Sequence, residues 1–362
     1  MAEKKSGLGR LKSYLGRGPK TLRGIFGAGK DDDLARLREE LSEKKRRLRN
    51  VHRRLDKRER EIAALRARIP ARDEESEFSG FAPENVVWIF CTGRSGSTWL
   101  GSMMGNLKND EMWNEPLVGQ LFGEFYYVRA SHRRGGVFIL GDRHRDVWLR
   151  SIRSLVLDGV AARYPHLPDG GHVVIKEPHG SIGAPLLVDA LPESRVMFLV
   201  RDPRDVVSSA MDAHREGSWT SSQGSWKRKG NTSDADPLRF ARNRAKSYLR
   251  DISKAREAYE RHTGPKTLVR YEDLLADTLG TMKRVYSGLE IAVDEGELAR
   301  VVEKHAWESI PEEDKGQGKF YRKATPGSWR EDLMPEQIEV VERITAPLLK
   351  QFYSGHLESG RS

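Results

Sequence analysis

Val86-Val87-Trp88-Ile89-Phe90-Cys91-Thr92-Gly93-Arg94-Ser95-Gly96-Ser97-Thr98-Trp99 decides the fold. The first six residues are a short unbroken apolar run, rich in β-branched and aromatic side chains and without period-2 alternation. Such a run fits a strand covered on both faces, as in a parallel sheet. Gly93 and Gly96 then let the backbone turn tightly. Leu100, Met103, Met104 and Leu107 follow at helical spacing. Strand, glycine-containing loop and helix, in that order, aim backbone N–H groups and a helix N-terminus at a phosphate. Ser95, Ser97 and Thr98 add hydroxyl donors, and Arg94 adds a fixed positive charge. A Walker A loop would need a lysine before its last Ser/Thr and a glycine at its start. Here Ser97 and Cys91 stand at those positions, so a nucleoside-triphosphate site is not expected.

The 362 residues allow one large or two medium domains, and 37% hydrophobic content suffices for a sizeable core. The net charge of +10 is uneven. Residues 1–30 carry eight Lys and Arg against one acid, Glu3, so the remainder is only mildly basic and no nucleic-acid partner is expected. Cys91 is the only cysteine, which excludes an intramolecular disulfide and a cysteine-based zinc site. No apolar run approaches the roughly 18 residues of a membrane span, and no signal-peptide core stands out. A reducing cytoplasm is the expected compartment. Residues 1–32 read as a basic tail, either solvated or held against an anionic membrane surface.

Leu34, Leu41, Leu48, Leu55, Ile62 and Ile69 recur every seven residues. Leu37, Val51 and Leu65 fill alternate positions, while Lys44 and Arg58 interrupt them. This predicts a coiled-coil helix over 33–70 that joins copies of the chain through 33–69. Pro70 stops it, and residues 71–84, with the acidic run Asp73-Glu74-Glu75-Ser76-Glu77, read as a linker into a domain over 85–355.

T-G-R-S-G-S-T-W resembles the 5′-phosphosulfate loop of sulfotransferases that use 3′-phosphoadenosine 5′-phosphosulfate (PAPS). Three later stretches strengthen the resemblance. Val173-Val174-Ile175-Lys176-Glu177-Pro178-His179 is close to the family's I-K-T-H, with Pro178 at the histidine's position and His179 displaced by one. Arg201-Asp202-Pro203-Arg204-Asp205-Val206-Val207-Ser208-Ser209 looks like the 3′-phosphate motif, with Arg201 and Ser209 as the matching contacts. Gly318 to Arg330 looks like the R-K-G-x-x-G-x-W loop over the 3′-phosphate, with Arg322 and Lys323 as ligands and Ala324 in place of a glycine that can take positive φ cheaply. The Tyr271-Glu272-Asp273-Leu274 turn matches as well, and Tyr271 is a contact for the adenine side.

The resemblance implies an α/β three-layer sandwich with a central, mostly parallel sheet and a P-loop-like nucleotide loop, preceded here by the coiled coil. It implies sulfuryl transfer from PAPS to an acceptor hydroxyl, with no metal. Gly96 and Trp99 join Arg94, Ser95, Ser97 and Thr98 as cofactor-binding residues. Lys176 and Arg94 would stabilise charge. Glu115, in the loop Met112-Trp113-Asn114-Glu115-Pro116-Leu117, matches the family's catalytic carboxylate by order along the chain. Pro116 favours an extended turn there. His179 is the alternative base, but one residue of displacement in an extended segment reverses a side chain. Glu177 is a further carboxylate to consider. The basic cluster of residues 129–146 is open to an anionic acceptor or to solvent, with solvent favoured, and Asp212 to Pro237, with Trp219 and Trp226, reads as a lid or acceptor loop. The acceptor stays open among carbohydrates, glycolipids and small hydroxylated metabolites, with a bacterial envelope glycan or glycolipid favoured. A nucleotide-binding adaptor without catalysis and a phosphoryl transferase are the competing readings.

Overall fold

The computed structural model describes residues 31–68, 81–128, 138–222, 233 and 235–353. The basic stretch 1–30, Pro70 with the acidic linker, the segment 129–137, Trp226 with its neighbours 223–232, and the residues after 353 lie outside the described residues. The chain divides into two compact units, residues 1–75 and 76–362.

The first unit holds helix α1 (Asp31–Arg68), 38 residues long. At 1.5 Å per residue it extends about 57 Å. Arg47–Glu43 and Arg58–Glu61 pair along its surface at 2.6 and 3.2 Å. Leu41, Leu48 and Val51 from the heptad series are each at least half exposed, at 54%, 58% and 50%.

The second unit is built on five parallel strands: β1 (Val86–Phe90), β2 (Asp110–Asn114), β3 (His172–Glu177), β4 (Arg195–Val200) and β5 (Lys266–Arg270). Their order is β2-β3-β1-β4-β5, which puts β1 at the centre. Val86, Trp88 and Phe90 enter the core on one face, and Val87, Ile89 and Cys91 enter it on the other. Both faces are covered, which is why the run shows no alternation.

The chain runs on through α2 (Ser97–Met104), α3 (Val118–Gly123), α4 (Arg145–Arg163), α5 (Ala184–Ala190), α6 (Pro203–Ala213) and α7 (Pro237–Arg261). After β5 come α8 (Tyr271–Ala276), α9 (Thr278–Gly288), α10 (Glu295–Lys304) and α11 (Pro335–Phe352). One core layer takes Ile152 and Val156 of α4, Leu187 of α5, Ile252 of α7 and Leu348 of α11. The opposite layer takes Leu100 and Met103 of α2, Leu274 of α8, Met282 of α9 and Leu298 of α10. Helices on both faces of one parallel sheet make the three layers expected from the resemblance.

Asp110 to Asn114 departs from the sequence reading, which left Met112 to Asn114 in a loop. It forms the edge strand β2, paired only with β3. An edge strand that is partly exposed needs no continuous apolar run, so Asp-Glu-Met-Trp-Asn gives little strand signal. Because every strand is parallel, the segments leaving β1, β2, β3, β4 and β5 share one edge of the sheet, where open α/β sheets bind ligands.

Candidate active site

Residues 91–96 leave β1 and turn into α2. Gly96 caps α2 at φ +87, and a Cβ there would lie 2.5 Å from the Tyr271 ring. Both the backbone conformation and the close ring demand glycine. Arg94 takes a left-handed φ of +72 without that freedom. Ser95 donates its hydroxyl to the Thr92 carbonyl at 2.7 Å and is fully buried, so this hydroxyl staples the loop instead of facing a ligand as the sequence suggested. Ser181 Oγ accepts the Cys91 N–H at 2.8 Å. The Cys91 thiol is buried, and that burial pushes it up to about 11. Arg244 of α7 donates to the Gly93 carbonyl at 2.8 Å. Nothing in the amphipathic pattern of α7 singled Arg244 out.

Lys176 is almost fully buried at the end of β3, and its Nζ donates to Thr98 Oγ1 at 3.0 Å and to Glu115 Oε1 at 2.7 Å. Glu115 follows β2 directly, and its own N–H donates to the Lys176 carbonyl at 3.0 Å. It is not extended, as the proline had suggested, but left-handed at φ +54, with Leu117 at φ +65. His179 also differs from expectation. The strand ends at Glu177, and His179 has helical dihedrals at the start of a 3₁₀ turn over Gly180–Gly183. The parity argument for an extended segment therefore fails. Its Nε2 stands 3.9 Å from Glu115 Oε2. Desolvation in the cleft outweighs the Glu115 carboxylate and lowers the imidazole below its ordinary value. Glu177 is fully buried and accepts the Val118 N–H on Oε1 at 2.8 Å, which removes it from direct chemistry.

Arg94 Nε donates to Ser209 Oγ at 3.1 Å, and its Nη2 donates to the Phe320 carbonyl at 2.9 Å. The guanidinium stands against the Trp219 and Phe320 rings at 5.6 and 5.2 Å. Burial, followed by the neighbouring Arg201, Arg322 and Arg244 charges, pulls it down to about 10. Arg201 does not pair with Asp202. That carboxylate caps α6 through the Arg204 N–H and pairs with the Arg204 side chain at 2.7 Å. Arg201 instead lies over the Tyr271 ring at 4.2 Å, donates to the Arg94 carbonyl at 2.9 Å, and keeps a buried Nε without a hydrogen-bond partner. Arg322 and Lys323 both reach Asp332, at 3.0 and 2.9 Å. Ala324 adopts φ +50, so the backbone at the missing glycine turns left-handed all the same.

A cavity of about 410 Å³ collects these groups. Arg94, Gly96, Ser97, Thr98, Trp99, Glu115, Lys176, His179, Arg201, Ser209, Tyr271, Arg322 and Lys323 all line it, while Ser95 does not. Trp219, from the expected lid segment, lines it too. Sequence reasoning missed Phe320 and the stretch around His305, Trp307 and Ile310, which completes the wall. Trp99 donates to the His305 carbonyl at 2.8 Å, and His305 Nε2 is buried without a partner. A tryptophan inside the polar loop His-Ala-Trp-Glu-Ser was the one available signal. Arg143 and His144 face solvent as expected, whereas Arg145 pairs with Asp189.

Residues 84–353, about three quarters of the chain, match the family described as Sulfotransferase domain. No curated protein matches the sequence. Among solved structures, a mouse sulfotransferase complexed with PAP is 14% identical, with 78% of this chain and 90% of that chain covered and a TM-score of 0.49. A sulfotransferase from Mycobacterium avium is 14% identical over 75% of this chain and 78% of that one, with a TM-score of 0.44. A retinol dehydratase in complex with androsterone and inactive cofactor PAP is 18% identical over 75% and 82%, with a TM-score of 0.40. The family match spans the loop after β1 and every segment that meets it at the cavity, and the chain belongs to the sulfotransferase domain family.

Proposed function

We propose that this protein transfers a sulfuryl group from PAPS to a hydroxyl of an acceptor, a cell-envelope carbohydrate or glycolipid. The supporting observation is that segments far apart in sequence converge on one cavity lined by cations, hydroxyls and aromatic rings together. Arg201, Ser209, Arg322 and Lys323 suit a 3′-phosphate, since guanidinium forks hold dianions and a hydroxyl, here Ser209 from within α6, adds a donor. Trp99, Tyr271 and Trp307 suit the adenine. The unpartnered nitrogens of Arg201 and His305 fit a polar ligand better than an empty interior.

PAPS supplies the sulfuryl group on its 5′-phosphate. Glu115 Oε1 is held by Lys176, which leaves Oε2 to take the acceptor's hydroxyl proton. The acceptor oxygen forms a bond to sulfur as the bond from sulfur to the bridging phosphate oxygen breaks. Lys176, Arg94 and the loop N–H groups offset negative charge on the transferring group and the departing phosphate. His179 Nε2 stands 3.9 Å from Glu115 Oε2, but no lysine orients the imidazole as Lys176 orients the carboxylate. The same reading takes the coiled coil as a self-association element, the tail of residues 1–32 as a contact for anionic surfaces, and the cytoplasm as the compartment.

The test is transfer of radiolabelled sulfate from PAPS to a panel of envelope glycolipids, free glycans and small alcohols, with adenosine 3′,5′-bisphosphate as product inhibitor. Glu115→Gln should lower kcat by about 10²–10⁴-fold while bisphosphate affinity holds. His179→Ala should cost under about tenfold on that scale. Swapped outcomes would move the base to His179, and binding without turnover on any acceptor would favour the adaptor.

A further inference from the structure

We propose that Glu177 is a positioning residue for sulfuryl transfer: its carboxylate anchors the turn over residues 115–118 and so fixes Glu115 at the cavity. This inference rests on the reading of Glu115 as the base.

The turn needs an anchor. Glu115 and Leu117 both take left-handed dihedrals without being glycine. Such backbone persists only where the surroundings over-determine it. Consecutive residues at the end of β3 supply that determination. Lys176 accepts the Glu115 N–H on its carbonyl and donates from Nζ to the Glu115 carboxylate. Glu177 takes the other end of the turn through the Val118 N–H at 2.8 Å. Together they grip the 115–118 segment at its start and its finish.

The surroundings of Glu177 are shaped to it. A Cβ on Gly180 would lie 1.8 Å from Glu177 Oε2, so no side chain fits at 180 while the carboxyl occupies this place. Helix α3, which starts at Val118, packs backbone to backbone on the same turn: a Cβ on Gly119 would come within 2.1 Å of the Gly180 carbonyl. The carboxyl itself is fully buried, and its Oε2 has no hydrogen-bond partner. Burial dominates its titration and raises it to about 7, against the backbone N–H bonds that favour the anion. An apolar residue of similar size would avoid this desolvation cost. The carboxyl has one evident use here, as the acceptor at the end of the turn. It does not line the cavity and touches no reacting atom.

The deciding measurement needs no acceptor. In the full-length protein, amide hydrogen exchange over residues 114–119 is compared among wild type, Glu177→Met and Glu177→Gln. The Met variant should exchange at least about tenfold faster there, as for a lost charge-assisted hydrogen bond. The Gln variant keeps an oxygen acceptor and should stay within twofold, and adenosine bisphosphate affinity should be unchanged in both. Unchanged exchange in the Met variant, or equal acceleration across the whole domain, overturns the proposal. With the acceptor from the panel, Glu177→Met should lower kcat at constant PAPS KM, and Glu115→Gln/Glu177→Met should be no slower than Glu115→Gln alone. Multiplying losses would also overturn it. Full activity of Glu115→Gln would remove the base assignment while leaving the exchange result to decide whether Glu177 holds the turn.

Discussion

Arg201 and Glu115 mark the two extremes of what single residues disclosed. Arg201 could be read from the sequence because R-D-P-R-D-V-V-S-S joins a strand end, a helix cap and two hydroxyls in one motif. The structure adds that its neighbour Asp202 is engaged by Arg204, which leaves Arg201 to the cavity. Arg201→Ala should weaken adenosine 3′,5′-bisphosphate by about 1.5–3 kcal/mol, as for a lost charged hydrogen bond. Adenosine 5′-phosphosulfate, which lacks the 3′-phosphate, should lose much less. Calorimetric titration of both ligands checks this, and equal losses would place the 3′-phosphate elsewhere. Glu115 was legible only by its order along the chain, because the conformation that aims it is fixed by β3 contacts about sixty residues away. The same distance effect hid the turn of His179: where a strand ends is decided by its neighbours, not by its own side chains.

Among the elements, β1 and α2 were readable because each carries its own signal, an apolar run and a helical stripe. β2 was not, since a half-exposed edge strand is held by its partner's backbone. The stretch around 302–310 was not readable either, because its wall residues matter only once α10 has packed beside α2. The β1–α2 junction yields the next expectation. Gly96→Ala places a methyl against the Tyr271 ring and forces an L-residue to hold φ +87. The dihedral costs about 1–2 kcal/mol, and the collision adds about 1–3 kcal/mol. The urea midpoint should fall accordingly, and bisphosphate binding should weaken with it. A midpoint within experimental error of wild type would mean that Tyr271 moves aside freely.

For the molecule as a whole, composition separated a charged N-terminal quarter from an apolar-rich remainder, and the structure has compact units at 1–75 and 76–362. Assembly is argued from exposure: Leu41, Leu48 and Val51 are apolar side chains on a helix whose own unit leaves them in water. Full-length protein should sediment as a dimer or higher oligomer at micromolar concentration. A chain lacking residues 1–72 should be a monomer that still binds nucleotide. A monomeric full-length species would sink the coiled-coil reading. The lone cysteine has a separate consequence for the catalytic unit. Cys91 directly follows the central strand, fully buried in the core layer that α2 covers, with a thiol that burial keeps protonated. The molecule therefore carries a built-in clock for its own opening: a thiol reagent should mark native protein only as fast as the middle of the sheet comes apart. A labelling rate that is indifferent to added bisphosphate would mean that ligand does not hold the sheet closed, whereas slowing in proportion to occupancy would tie the cavity to the core.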